Sequence, residues 1–176
     1  MIKKIFLLIF ILILGLFIYT AFQPSEYEIV REIKISAPAE SIFPYVENLK
    51  KFNEWSPWSK IDPQAKLTFE GPEKGMNAIY KWDGNNEVGS GSITITKSDQ
   101  NSVIQMKLEM YKPFSDSSDV EFNFKPQNMD TIVSWKIKGH AKFISKLLCI
   151  FINRDKLIGK EFEKGLLNLK NISEKK

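Results

Sequence analysis

Hydrophobic and polar positions change period several times along this chain, and each change marks a different kind of element. From Ile5 to Phe22 there is no period at all: "IFLLIFILILGLFIYTAF" carries no charge, and only Gly15, Tyr19 and Thr20 depart from strong apolarity. As a helix this run spans roughly 27 Å, close to the ~30 Å hydrocarbon core of a bilayer. Period two begins directly afterwards. In "EYEIVREIKI" Tyr27, Ile29, Ile33 and Ile35 share one face with Arg31, and Glu28, Glu32 and Lys34 take the other, which predicts a strand.

The next segment, "SAPAESIFPYVENLKKFNEW", has helical spacing at Ile42, Val46 and Leu49. Pro44 removes a helix hydrogen bond from the middle of it, so two short helices meeting near Pro44 are expected. Alternation then returns six times. It runs through "KLTFE", "MNAIYKW", "GSITITK", "VIQMKLEM", "DVEFNFK" and "TIVSWKIK", with turn chemistry between them at "DGNN", "KSDQNS" and "KPQNMD". Short turns between cleanly alternating strands describe an antiparallel meander with one covered face.

The cover comes from the C-terminal end. "LIGKEFEKGLLNLKNI" puts Ile158, Phe162, Leu166, Leu169 and Ile172 on one stripe of a long amphipathic helix. Its preamble "FISKLLCIFI", within residues 143–152, is apolar nearly all round and too short to span a bilayer. It reads as a buried turn of helix, with a position against the membrane beside the N-terminal run as the alternative. The predicted fold class is therefore α+β: a curved antiparallel sheet of about seven strands around a long C-terminal helix, preceded by one transmembrane helix. A strongly twisted sheet does not touch a straight helix along its whole length, so a wedge lined by Met, Phe and Trp is expected between them.

Composition refines this picture mainly by exclusion. The apolar run is longer than a signal-peptide core, and cleavage after Ala21 would place Tyr19 where a small residue is wanted, so it reads as an uncleaved anchor. The implied organisation is a cytoplasmic tail at 1–4, a transmembrane helix at 5–22, a linker at 23–26, the domain at 27–172 and a tail at 173–176. Lys3 and Lys4 precede the span, so the positive-inside rule places the domain outside the cytoplasm. With those two lysines set aside, 23 basic residues face 21 acidic ones, and a net +2 gives no reason to expect a nucleic-acid partner. Cys149 is the single cysteine and His140 the single histidine, so no intrachain disulfide, no thiolate metal cluster and no cofactor motif is expected. "GSG" at 89–91 lacks the helix of a phosphate loop and reads as a strand bulge.

Taken with this order of elements, "IKISAPAESIFPYVENLKKFNEWSPW", "GPEKGMNAIYKWDGNNEVGSGSITI" and "DKLIGKEFEKGLLNLK" resemble the SRPBCC or START-like helix-grip superfamily, and within it the bacterial branch described as polyketide cyclase/dehydrase. The resemblance covers roughly Tyr27 to Lys170. It implies a deep, mainly apolar cavity between sheet and terminal helix that holds lipids, sterols, polyketides or other hydrophobic molecules, with a few polar groups inside it in members that do chemistry.

Trp55, Trp58, Tyr80, Trp82, Met106, Met110, Phe122, Trp135, Phe162 and Leu166 are the candidate cavity lining, with Trp55 and Trp58 near the entrance. Any of these rings also serves as ordinary core packing. Arg31 on an apolar face needs a partner, and a glutamate near the sheet's end is the expected one, with an acidic ligand head group as the alternative. Three functions remain in play. The first is membrane-anchored binding of a hydrophobic small molecule or lipid. The second is a cyclase-, dehydratase- or hydrolase-type enzyme using a cavity carboxylate or Tyr80. The third is an envelope protein-interaction module with a packed core. What separates them is whether the wedge is hollow and what stands inside it.

Overall fold

The computed structural model describes residues 2–175. Helix α1 (Ile2–Phe22) leads into strand β1 (Glu26–Ile35), and three short helices follow: α2 (Ala39–Ile42), α3 (Pro44–Glu47) and α4 (Leu49–Trp55). The helix period around Pro44 thus resolves into three pieces and a 3-10 turn at Pro57–Lys60, where two helices were expected. Pro44 opens α3, where its missing N–H costs nothing, and Asn48 ends α3 and caps α4 by accepting from the N–H groups of Lys50 and Lys51.

Six strands come next: β2 (Lys66–Glu70), β3 (Ile79–Asp83), β4 (Ser90–Asp99), β5 (Val103–Lys112), β6 (Asp116–Gln127) and β7 (Asp130–His140). They form one antiparallel sheet in the order β1-β7-β6-β5-β4-β3-β2. The register shift at Ser90/Gly91 is the bulge expected for "GSG". Helices α5 (Phe143–Cys149) and α6 (Arg154–Ser173) close the chain, and α6 crosses the face carried by Ile29, Val133, Trp135 and Phe122. Phe162, Leu166 and Leu169 are its buried stripe, with Ile158 and Ile172 half-buried at either end. The architecture is the expected helix-grip.

Arg31 is explained by this packing. Its Nη2 and Nη1 donate to the two carboxylate oxygens of Asp155 at 2.9 and 3.1 Å, and its Nε donates to Glu163 at 2.8 Å. Both acids belong to α6, so the guanidinium ties sheet to helix instead of reaching a glutamate at the sheet's end. It lies against the backbone of Gly159, where a Cβ would meet Nη2.

The outer face of the sheet is polar. Glu121 accepts from Lys136 across β7 at 2.7 Å, from Gln105 across β5 at 2.8 Å, and from Asn123 at 2.8 Å. These donors, Lys136 above all, hold its carboxyl at about 2, against 4.5 for a free glutamate, although burial pushes the other way. Because the folded value lies below the unfolded one, Glu121 contributes its full stability above about pH 4.5 and loses it as pH falls through about 2. A Glu121→Gln variant should therefore unfold at nearly the same denaturant midpoint at pH 3 as at pH 5, apart from the slope shared with other acids, whereas the parent midpoint should fall more steeply over that interval.

Helix α5 departs from expectation. None of its residues is buried. Ile144, Leu148, Phe151 and Ile152 are 51%, 46%, 75% and 48% exposed, so the apolar preamble is not core. The reason is position: α5 projects from the end of β7 beside α1, beyond the area that α6 and the sheet enclose.

Candidate ligand-binding face

Cross-strand registers divide the inner face of the sheet into rows. Ile95, Met106, Val120, Ile137 and Ile29 stand side by side across β4, β5, β6, β7 and β1, and all are buried. The next row towards the distal end holds Ile104, Phe122 and Trp135, which meet the helices in a continuous aromatic cluster. Trp135 stacks on Phe162 at 4.1 Å between centroids, and packs against Phe122, Trp55 and Trp58 at 4.9, 5.5 and 5.7 Å. Phe52 joins Trp55 at 4.9 Å.

A side chain bordering a void wide enough for water exposes area to that void. Trp55 and Trp135 are 2% exposed, Phe162 2%, Leu166 and Met106 1% and Phe122 0%, so this half of the expected wedge is filled by interlocked rings. Trp55 donates its indole N–H to the Tyr45 carbonyl at 2.8 Å and closes the core instead of standing at an entrance. Met106, Phe122, Trp135, Phe162 and Leu166 have the same place: they are packing, with no surface to offer a ligand. The opening of the twisted sheet, which suggested a hollow, is taken up by bulky residues from α4 and α6.

The row on the other side, nearer α1, is different. Ile93, Leu108, Ser118, Gly139 and Tyr27 stand abreast, with Trp82, Gly91 and Met110 one step further out. Trp82, Ile93, Leu108, Met110 and Tyr27 are all half-buried, and Trp58 flanks the packed cluster in the same condition. Small residues lower the floor here. A Cβ at Gly91 would strike the Trp82 ring at 2.6 Å, and one at Gly139 would strike the Tyr27 hydroxyl at 2.6 Å. Among the candidate lining residues, then, the structure brings Trp82 and Met110 to a partly open apolar face, leaves Trp58 half-buried against Trp135 and Phe162, and adds Ile93 and Leu108. Alternation in "GSITITK" and "VIQMKLEM" already put those two on the inner side, but a search weighted towards large rings and thioethers passes over them.

The polar groups bordering this face are few. Tyr80, 8% exposed, stacks against Phe69 at 5.2 Å and donates its hydroxyl to Asn53 at 2.9 Å; burial pushes its phenol up to about 12. The Tyr27 phenol, hydrogen-bonded to Ser118 at 2.9 Å, is also raised, mainly by burial. Both therefore stay protonated at neutral pH and serve as hydrogen-bonding groups, not bases. Asp116 is level with Met110 at the rim, and its Oδ1 accepts from the Ser117 N–H. His140, at the end of β7, lies 3.8 Å from the Glu26 carboxylate and is exposed. Among the described residues no three His, Cys, Asp or Glu side chains come together as a metal site.

Two surface grooves stand out, and only the first borders this face. One, of about 510 Å³, lies where the β5–β6 hairpin meets the β7–α5 connection and is bordered by Met110, Tyr111, Asp116, His140 and Lys142. The other, of about 400 Å³, runs outside α6 between Pro57, Ile61, Lys164 and Leu167. Neither lies between α6 and the sheet.

No protein-family model and no curated protein matches this chain. Solved structures do. Protein CV1439 from Chromobacterium violaceum superposes with a TM-score of 0.62 at 10% identity, over 85% of this chain and 98% of its own. The Aha1 dimer from Colwellia psychrerythraea gives 0.60 at 15% identity, over 84% and 96%. The di-domain ARO/CYC StfQ from the steffimycin biosynthetic pathway gives 0.60 at 11% identity, over 85% of this chain and 51% of that one. At such identities the likeness is one of fold, the helix-grip.

Proposed function

We propose that this chain is a membrane-anchored helix-grip protein that binds a hydrophobic small molecule or lipid on the open, anchor-proximal part of its inner sheet face, without catalysing a reaction on it. The observation that carries this reading is two adjacent rows, Ile93 with Leu108 and then Trp82 with Met110, whose apolar side chains are only partly buried where the core beside them is fully packed. The same end of the sheet begins at Glu26, four residues after the end of α1, a helix long and apolar enough to cross a bilayer, which supports a reading in which the open face lies close to the membrane. Covering about 300 Å² of apolar ligand surface contributes roughly 7 kcal/mol gross, most of it offset by lost freedom on association, so micromolar affinity is the expected range.

The test is direct. Residues 25–176 are extracted with organic solvent for mass spectrometry and titrated with a fluorescent polyene fatty acid. Leu108→Lys places an ammonium group on the open face, at a half-buried position bordering the core. It should weaken binding by about tenfold or more, equivalent to at least about 1.4 kcal/mol, with the circular dichroism of the fold unchanged. An empty protein that ignores every apolar probe defeats the proposal.

The filled aromatic half favours a second reading, an interaction module for another envelope protein that works through the polar outer face. In that case Leu108→Lys leaves partner capture intact, and Lys136 and Lys107, paired with Glu121 and Asp119, are the residues whose charge reversal removes it.

A further inference from the structure

Much of the apolar side of α5 is exposed, with Ile144 and Leu148 uncovered, yet the helix is fixed in position. Phe143 stacks on Phe17 of α1 at 5.6 Å between centroids, and the Lys146 ammonium donates to the carbonyls of Ala21 and Gln23 at 3.1 Å each, closing the C-terminal end of α1. Lys142, which precedes α5, donates to Ser115 Oγ at 2.9 Å and so draws in the β5–β6 hairpin, where Phe114 is 51% exposed. Beyond α5 the turn presents Phe151 and Ile152 at 75% and 48% exposure, and the first turn of α6 presents Leu157 at 61%.

We propose that α5, with the turn to Leu157 and the Phe114 hairpin tip, is a second membrane contact that lays the domain against the bilayer surface where α1 emerges. This rests on the reading that α1 spans the membrane. Phe17 stands five residues before the end of α1, about 7 Å along the helix axis at 1.5 Å per residue. A ring stacked on it sits within the depth of about 5–10 Å that interfacial helices reach. The surrounding charge fits the same occupant. From Lys142 to Leu157 the chain carries Lys142, Lys146, Arg154 and Lys156 against one acid, Asp155, which is paired with Arg31, so cations outnumber anions along the apolar surface at the level of anionic head groups. A protein partner would need a complementary hollow at a place already crowded by α1 and lipid, whereas a bilayer is present wherever α1 is inserted.

The experiment uses the full chain in vesicles of phosphatidylcholine and phosphatidylglycerol. In a Cys149→Ser background, single cysteines are introduced as Phe151→Cys, Leu12→Cys and Met129→Cys and carry a nitroxide. Met129, 86% exposed in the β6–β7 turn, marks the far end of the molecule. Collisions with a water-soluble nickel chelate, relative to those with oxygen, should be about fivefold lower at 151 than at 129, and low at 12. Equal chelate access at 151 and 129 with 12 shielded overturns the second contact and leaves the anchor standing. Free access at 12 as well removes the anchor, and this inference falls with it.

Discussion

Truncating Trp135 to alanine should cost the domain about 3–5 kcal/mol, read as a shift of the urea midpoint at unchanged slope. The side chain is 2% exposed and touches rings on every side: Phe162 at 4.1 Å, Phe122 at 4.9, Trp55 at 5.5, Trp58 at 5.7 and Phe52 at 6.0 Å. Those rings come from β6, α4, the 3-10 turn and α6, so no single movement refills the space. Domains of this size are stable by about 5–15 kcal/mol, and such a loss takes a large part of it. Trp135→Phe should cost clearly less, for a reason beyond size. The indole Nε1 is buried with no acceptor among the described residues, a condition that costs about 1–3 kcal/mol, and phenylalanine removes the orphan donor along with part of the ring. Met129→Ala, at an exposed turn, should stay within about 0.5 kcal/mol of the parent. A loss under about 1 kcal/mol for Trp135→Ala would mean that the ring already borders a void, and the packed description of the grip would be wrong.

How far the sequence carries is best judged from individual side chains. The strands were legible because alternation is a local signal: Val120, Phe122 and Phe124 face inward wherever the strand is placed. The stripe Phe162, Leu166, Leu169 was legible for the same reason at the helical period. Arg31 was legible only in part. That it needed a partner follows from its neighbours on the strand, but Asp155 and Glu163 are more than 120 residues away, and nothing local says which turn of α6 will cross β1. The site failed to read for a subtler reason. Whether a ring fills a wedge or lines it depends on distances of a few ångströms between α6 and the sheet, set by Gly159 under Arg31 and Gly165 under Trp135. In the sequence these glycines look like weak points of a helix, and only the structure shows them as the places where the helix comes close. Residues 143–152 misled through composition, since an apolar run of that length is core in most domains but here packs beside the apolar helix α1, away from the sheet.

Gly165 supplies the sharpest test of that closeness. In an exposed helix Gly→Ala gains about 1 kcal/mol from propensity alone. Here a Cβ would lie 2.6 Å from Trp135 Cζ3 and 3.1 Å from Pro57 Cδ, and Trp135 has no free direction in which to yield. Overpacking of that kind costs about 1–3 kcal/mol, so Gly165→Ala should be destabilising against its propensity. Cζ3 belongs to the six-membered ring that phenylalanine does not place there. In a Trp135→Phe background the same substitution should therefore recover its propensity gain and raise stability relative to Trp135→Phe alone. The two changes are then coupled favourably by about 1–3 kcal/mol in a double-mutant cycle, well beyond the additivity expected of independent sites. A hollow grip gives the opposite sign at the first step: Trp135 swings into the void, Gly165→Ala stabilises outright, and the coupling vanishes. Denaturant midpoints of four proteins thus decide between a filled wedge and an empty one without any ligand, which leaves the open row at Ile93 and Leu108 as the face on which binding stands or falls.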